Sequence, residues 1–297
     1  MNNIIYYLEP HALGDDLHIH RNILLDLLVK NIFTNEIVVY CLADRSFLYS
    51  NIFANTFVYE EVADLDEIKL ICDARFNKNF VIIKNSDIYF SIWEIWQIIK
   101  NIHRRLDVDI SITKPNFLNF KKINYYNSKN HSSEFKNLVT NMKFLEKISR
   151  FSEEKYIVYH HRFKNDNRWD DDDEILKAIL NYSDEYNIVL FTQKKVNYNS
   201  NKIYITSNLQ EYATYIKNDN CLAIISVWSG GGQMASYCSS SKLLMYFHPM
   251  QAQYNLDQDQ LDYFINSENS FDFCQFTDID RKFVNIQDII FNLKNYL

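Results

Sequence analysis

Glycine is nearly missing from this chain: its 297 residues contain 4, where ordinary usage of roughly 7% would supply about 20. Proline is as rare, at 3. Long apolar runs are missing too. The longest, such as Ile4–Leu8 and Leu222–Ser226, are strand-sized and fall far short of the roughly 18–20 residues of a membrane span, so no segment is expected to cross a bilayer. The start, Met1-Asn2-Asn3-Ile4, lacks the basic and apolar stretches of a secretion signal, and a cytosolic compartment is expected. The 5 cysteines (Cys41, Cys72, Cys221, Cys238, Cys274) contain no C-x-x-C pair. Reduced, buried thiols are therefore expected, with neither disulfides nor a structural zinc. Positive charge is also short, the net charge being −7, which argues against a dedicated nucleic-acid binder that must displace counterions from phosphates.

What is present is apolar area. Hydrophobic residues make up 47% and aromatics 15%, enough for two cores, and the length suits two domains of about 100–150 residues each. Short apolar runs recur through the first half at Ile4–Leu8, Ile37–Cys41, Thr56–Tyr59, Phe80–Lys84 and Val108–Ile112. They read as strands, several buried on both faces. Between them, Leu17, Leu24 and Leu28 share one helical face, and Ile88, Ile92, Ile95, Ile99 and Ile102 keep a 3-4 spacing. Alternating strands and helices imply a parallel sheet.

The second half repeats this pattern. Strands are expected at Tyr156–His160, Asn187–Phe191, Lys202–Thr206, Leu222–Ser226 and Leu243–Phe247. Helices are expected at Asp172–Tyr182, Leu209–Lys217 and after Gly232. Ser207 and Gln210 fit a capping box, and Asp170–Asp173 places negative charge where a helix dipole favours it. The polar, Asn-rich stretch 114–133 reads as the junction, giving domains 1–125 and 126–297, with a helix carrying Phe135, Leu138, Met142 and Leu145 after it. A terminal amphipathic helix (Ile286, Ile289, Ile290, Leu293) is free to pack on either domain.

All four glycines fall in two loops. Gly14 lies in Pro10-His11-Ala12-Leu13-Gly14-Asp15-Asp16, and the rest lie in Ser229-Gly230-Gly231-Gly232-Gln233. Each loop follows a strand and precedes a helix, the place where open α/β sheets bind ligands. Survival of glycine only here suggests backbone at positive φ or in close approach to a ligand. The helix starts that follow suit a phosphate. Turn geometry alone is the plainer reading for a single glycine, less so for three in a row. Neither loop fits G-x-G-x-x-G and no G-x-x-x-x-G-K-[ST] occurs, which disfavours dinucleotide dehydrogenases and P-loop NTPases.

A third segment, His160-His161-Arg162-Phe163-Lys164-Asn165-Asp166-Asn167-Arg168-Trp169, gathers Arg162, Lys164 and Arg168 at a strand end of an acidic chain, and Gln193, Lys194 and Lys195 follow the next strand. Such a set suits a diphosphate, the bland alternative being a solvated loop. His18-x-His20 with His11 makes a poor metal set, since the two helical positions face different ways. The D-x-D pairs (Asp64/Asp66, Asp107/Asp109, Asp257/Asp259, Asp278/Asp280) are too many in an acidic chain to mark a metal site. No metal is expected.

Together the three segments resemble the heptosyltransferase-like branch of the GT-B glycosyltransferases. In that family an L-G-D loop after the first strand presents the general base, and Leu13-Gly14-Asp15 matches it. The basic loop with tryptophan, His160–Trp169, is similar to the family's diphosphate-holding loop. Val227-Trp228-Ser229-Gly230-Gly231-Gly232-Gln233 takes the place of its D-T-G-x-x-H loop, with Trp228 where the family has aspartate and Gln233 where it has histidine. The resemblance implies two Rossmann-like doubly wound domains facing across a cleft. It implies transfer of a sugar from a nucleotide-diphosphate donor to a glycan or lipid-linked glycan acceptor in cell-surface polysaccharide synthesis, at the cytoplasmic face of the membrane. Asp15 would be the base, with Asp16, His11 and His18 as further candidates. Arg162, Lys164, Arg168, Gln193, Lys194 and Ser229–Gln233 would hold the donor, with no further cofactor. Two rivals share these features: a nucleotide-sugar epimerase of the same fold, and a non-catalytic binding subunit.

Overall fold

The computed structural model describes residues 3–8, 13–21, 24–25, 28, 37–53, 55–59, 80–84, 88–90, 107–108, 110–112, 123–124, 133–161, 172–198, 200–227, 229–239, 241–246 and 281–297. The chain divides into two units, with the boundary between Lys143 and Phe144.

The first unit is built on a parallel sheet of β1 (Asn3–Tyr7), β2 (Ile37–Leu42), β3 (Asn55–Tyr59) and β4 (Phe80–Lys84), in the order β3-β2-β1-β4. The near-continuous apolar runs of β1 and β2 fit strands covered on both faces, and Ile5, Tyr6, Val38 and Val39 are buried. Helix α1 (Leu13–Asp15) follows β1 and passes into a π turn, Asp16–His20. Leu17 and Leu24 are buried, as their shared face predicts, while Leu28 is half-exposed.

Three expectations give way here. Ile88, expected on a helix, lies in β5 (Ile88–Phe90), where a β-branched residue and two aromatics favour the extended form. The rest of that pattern, Ile92–Ile102, falls outside the described residues. The run Val108–Ile112 does not join the parallel sheet. It is split between β6 (Asp107–Val108), antiparallel to β8 (Ile123–Asn124), and β7 (Ile110–Ile112), antiparallel to β5. Helix α2 (Ser133–Thr140) stops before Met142 and Leu145. The reason is Arg21, fully buried, whose guanidinium donates to the carbonyls of Leu138 (3.1 Å), Val139 and Asn141 (3.1 Å). A cation at the carboxyl end of a helix satisfies its last carbonyls and complements its dipole. The proposed junction stretch, 114–133, lies almost entirely outside the described residues.

The second unit carries six strands: β9 (Tyr156–His160), β10 (Asn187–Phe191), β11 (Ile203–Thr206), β12 (Cys221–Val227), β13 (Lys242–Tyr246) and β14 (Arg281–Phe283). All pairings are parallel, in the order β11-β10-β9-β12-β13-β14. Helices α3 (Asp172–Asn181) and α4 (Leu209–Lys217) fall where the apolar spacing puts them. Ile175, Ile179 and Leu180 of α3 enter one core with Ile157 and Tyr159; at about 1.5–3 kcal/mol for each large apolar side chain removed from water, that face outweighs helix propensity. The expected helix after Gly232 starts at Gly230 instead, as two short pieces, α5 (Gly230–Gln233) and α6 (Ala235–Cys238). The terminal helix α7 (Ile286–Asn292) belongs to this unit, with Ile289 and Leu293 buried in the same core as α3. Cys41, Cys221 and Cys238 are buried free thiols. No helix among the described residues is long and apolar enough to cross a membrane.

The cap of α4 is Asn208, not Ser207. Asn208 has the extended backbone a cap requires, and its side chain accepts from Glu211 N at 3.0 Å. Glu211 in turn accepts from Ser149 Oγ (2.7 Å), Tyr204 OH (2.8 Å) and Thr206 Oγ1 (2.5 Å). Partial burial alone would raise its pKa, but the three hydroxyl donors overcome that and hold it below the ordinary 4.5. A lowered folded-state pKa stabilises the fold above the ordinary value and ceases to do so as pH falls through the lowered one. Melting temperature is therefore expected to drop on acidification below pH 4.5, and Glu211→Gln should flatten that acid limb; an unchanged limb in scanning calorimetry refutes the assignment.

Candidate functional site

In a sheet ordered β11-β10-β9-β12-β13-β14 the chain runs outward to one side from β9 and then to the other. The connections above β9 and β12 therefore diverge at their carboxyl ends, the place where open α/β sheets admit ligands. Register puts His160 at the end of β9 opposite Phe191 on one side and Ser226 on the other. His160 is buried, and its Nδ1 pairs with Ser226 Oγ at 3.0 Å. The Ser226 hydroxyl donates to Val227 O at 2.8 Å, so it accepts from His160 Nδ1–H. The imidazole stacks on Phe191 (centroids 5.3 Å apart, 14° between planes) and meets Tyr212 of α4 at 5.5 Å.

The glycine turn rests on this floor. A Cβ at Gly231 would overlap the His160 ring, with Nε2 nearest and Cδ2 at 2.8 Å, and one at Gly232 would meet the Ser226 side chain and Val227 O at 2.9 Å. None of the described glycines has a positive φ. Positive φ is therefore not the reason for glycine here, and the surface that Gly231 and Gly232 approach is the protein's own His160 and Ser226. Tyr212 OH, buried, donates to Gly231 O at 3.0 Å; burial, and then the neighbouring Cys238 and Cys221, push its pKa well up, so it stays a donor. Ser229 stands at the N-cap without a side-chain cap bond, and its Oγ is shut from solvent with no partner among the described residues.

Beside this turn, the ladder continues past the strands. His161 N donates to Phe191 O at 3.0 Å and His161 Nδ1 pairs with Thr192 Oγ1 at 2.8 Å, while Lys194 N donates to the same hydroxyl at 3.0 Å. Thus Gln193 and Lys194 sit at the carboxyl edge next to His160, Gln193 exposed and Lys194 half-buried. Ser229, Gly230, Gly231 and Gly232 join them across the switch point. Arg162, Lys164, Arg168 and Trp228 fall outside the described residues, as does the side chain of Gln233. Sequence reasoning passed over Ser226 and Tyr212; the one signal for Ser226 was a hydroxyl ending an otherwise apolar strand, and Tyr212 gave none. A groove of about 520 Å³ lies elsewhere, lined by Phe144–Ile148 and the end of α4 at Lys217, toward the amino ends of the strands.

In the first unit, β1 likewise lies between β2 and β4, so the connection after β1 leaves the sheet at the corresponding point; Gly14, expected in the loop before the helix, lies in the helix α1 itself. His11 falls outside the described residues; Asp15 is placed in α1 by its backbone only. Asp16 is fully buried. Tyr49 OH donates to its Oδ1, and Arg45 Nε lies 3.3 Å from its Oδ2. Burial first, and then the Asp16 charge, push the Tyr49 pKa well up. A carboxylate so enclosed cannot reach an acceptor hydroxyl without breaking these contacts. His20, at the end of the π turn, pairs with Tyr6 OH at 3.0 Å, and no group of three metal-ligating side chains converges among the described residues.

No protein-family model and no functionally curated protein matches the sequence. Solved structures do. ADP-heptose LPS heptosyltransferase II of E. coli superposes with TM-score 0.50 at 12% identity, over 98% of this chain and 97% of that one. E. coli heptosyltransferase WaaC with ADP gives 0.47 at 11%, over 94% and 93%. A glycosyl transferase family 9 protein from Veillonella parvula gives 0.46 at 12%, over 95% and 86%. The likeness shows the fold. It is α/β, with two Rossmann-like units of the kind found in GT-B glycosyltransferases.

Gly231→Ala is expected to destabilise the protein by about 1–3 kcal/mol, the usual cost of forcing a methyl into packed structure. Chemical denaturation measures it, and wild-type stability in this variant would show that the turn does not press on His160.

Proposed function

We propose that this protein transfers a sugar from a nucleotide-diphosphate donor to a hydroxyl of a glycan or glycolipid acceptor. One observation carries the reading: Gly231 and Gly232 of the triple-glycine turn lie on the His160–Ser226 pair at the switch point of the second sheet, and His160 opens the segment that supplies Arg162, Lys164 and Arg168. A diphosphate above that turn would be held by the guanidinium groups, which offer it bidentate, charge-assisted hydrogen bonds. The fold shared with ADP-heptose LPS heptosyltransferase II supports a nucleotide sugar as the donor class. The acceptor side falls to the Leu13-Gly14-Asp15 segment of the first unit.

In this reading Asp15 takes the proton of the attacking hydroxyl as the bond to the anomeric carbon forms. The bond from that carbon to the diphosphate breaks, and the basic segment with Lys194 and the glycine turn stabilises the charge developing on the departing oxygen. A surface-glycan acceptor places the reaction at the cytoplasmic face of a membrane.

Thermal-shift titration with ADP, GDP, UDP and CDP and their sugars tests the donor assignment. A bound nucleotide at about 100 times its Kd stabilises by about 2.7 kcal/mol, a readily measured shift. Arg168→Ala should weaken binding by about 10- to 100-fold, the usual worth of a hydrogen bond to a charged group, whereas Asp15→Asn should bind normally and lose turnover. A wild-type protein indifferent to every nucleotide overturns the proposal in favour of a binding subunit; conversion of the donor sugar without acceptor points instead to an epimerase.

A further inference from the structure

The helix that contains Gly14 has an unusual form. Leu13–Asp15 is α-helical, but Asp16–His20 widens into a π turn, a rare conformation that recurs beside functional sites. It persists only where side chains hold it, and here buried polar groups secure both ends. His20 Nδ1 lies 3.0 Å from Tyr6 OH on β1. Next to it, Arg21 Nε donates to Leu48 O at 2.8 Å. At the leading end Asp16 is gripped from the turn after β2, by the Tyr49 hydroxyl and by Arg45 Nε at 3.3 Å. Its side chain is 1% exposed.

Asp15 is the residue between Gly14, which has the freest backbone of any residue type, and this clamp. With Asp16 fixed, the helical turn Leu13–Asp15 is tied at its carboxyl side. We propose that Asp16 is a positioning residue: through Tyr49 and Arg45 it fixes the Gly14–Asp15 backbone so that the Asp15 carboxylate is delivered to one place. This rests on the transferase reading above. It also assigns the two adjacent carboxylates different duties. Asp16, enclosed and engaged at both oxygens, orders the backbone, while Asp15 meets the acceptor. Ordering is then accomplished during folding and not at each turnover, which is how a preorganised group gains rate.

The test uses the full chain with Tyr49→Phe, which deletes one hydroxyl and keeps the ring, and Asp16→Asn beside Asp16→Ala. Backbone amide hydrogen exchange across residues 13–21 should quicken at least tenfold in Tyr49→Phe with β1 and β2 unchanged. With the nucleotide sugar that the thermal-shift screen selects, kcat should fall at least tenfold while donor KM stays within twofold. Asp16→Asn, which still accepts from Tyr49, should recover part of what Asp16→Ala loses. Unchanged exchange at 13–21, or exchange rising equally through the whole first sheet, overturns the positioning role. So does wild-type kcat in the variants. A wild-type protein that turns over no nucleotide sugar sinks the transferase reading and, with it, the duty given to Asp15.

Discussion

Strand β9 is paired along both edges, to β10 and to β12, and all five of its residues are buried. That double pairing fixes where the chain changes direction, and so where two connections part to leave room above the sheet. It also fixes what lies beneath that room. Because His160 is in register with Ser226, the imidazole and the hydroxyl meet across the strand boundary at 3.0 Å. The two residues packed directly on them, Gly231 and Gly232, have no room for a Cβ, which is why they are glycine.

The first unit encloses polar side chains beside its apolar core. Arg21, Asp16 and His20 are all enclosed, and all follow Gly14 within one stretch of helix. Removing a polar group from water is costly unless it is paired; Arg21 donates to carbonyls, Asp16 accepts from Tyr49 and is ion-paired with Arg45, and His20 pairs with Tyr6. Such contacts are directional where apolar ones are not. They suit a segment whose task is to hold backbone in one arrangement.

Much of this was legible in the residues. Apolar runs such as Tyr156–His160 and Asn187–Phe191 coincide with strands because a strand buried on both faces needs unbroken apolar sequence. The glycine segments stood out because no other glycine competes with them. Other features were invisible for physical reasons. Ile88 followed a helical spacing yet entered a strand, since a spacing shared with distant residues says nothing about three adjacent β-formers. The end of α2 was set by an arginine more than a hundred residues earlier. The cap fell on Asn208 and not Ser207 because backbone conformation, not composition, chooses among neighbouring capping residues. Tyr212 looked like any core aromatic; only the fold reveals that its hydroxyl ends on Gly231.

The bonds of Arg21 also impose an order on biosynthesis. Its carbonyl partners on α2 and just beyond lie 117 to 120 residues further along the chain. At about 5–20 residues per second of translation, an emerging polypeptide waits on the order of 6–24 s before those acceptors exist. During that interval only Nε has its acceptor, the Leu48 carbonyl, and the two terminal nitrogens stay hydrated, so the first unit closes late. A chain cut short before residue 138 would carry the strands of the first sheet without this clasp.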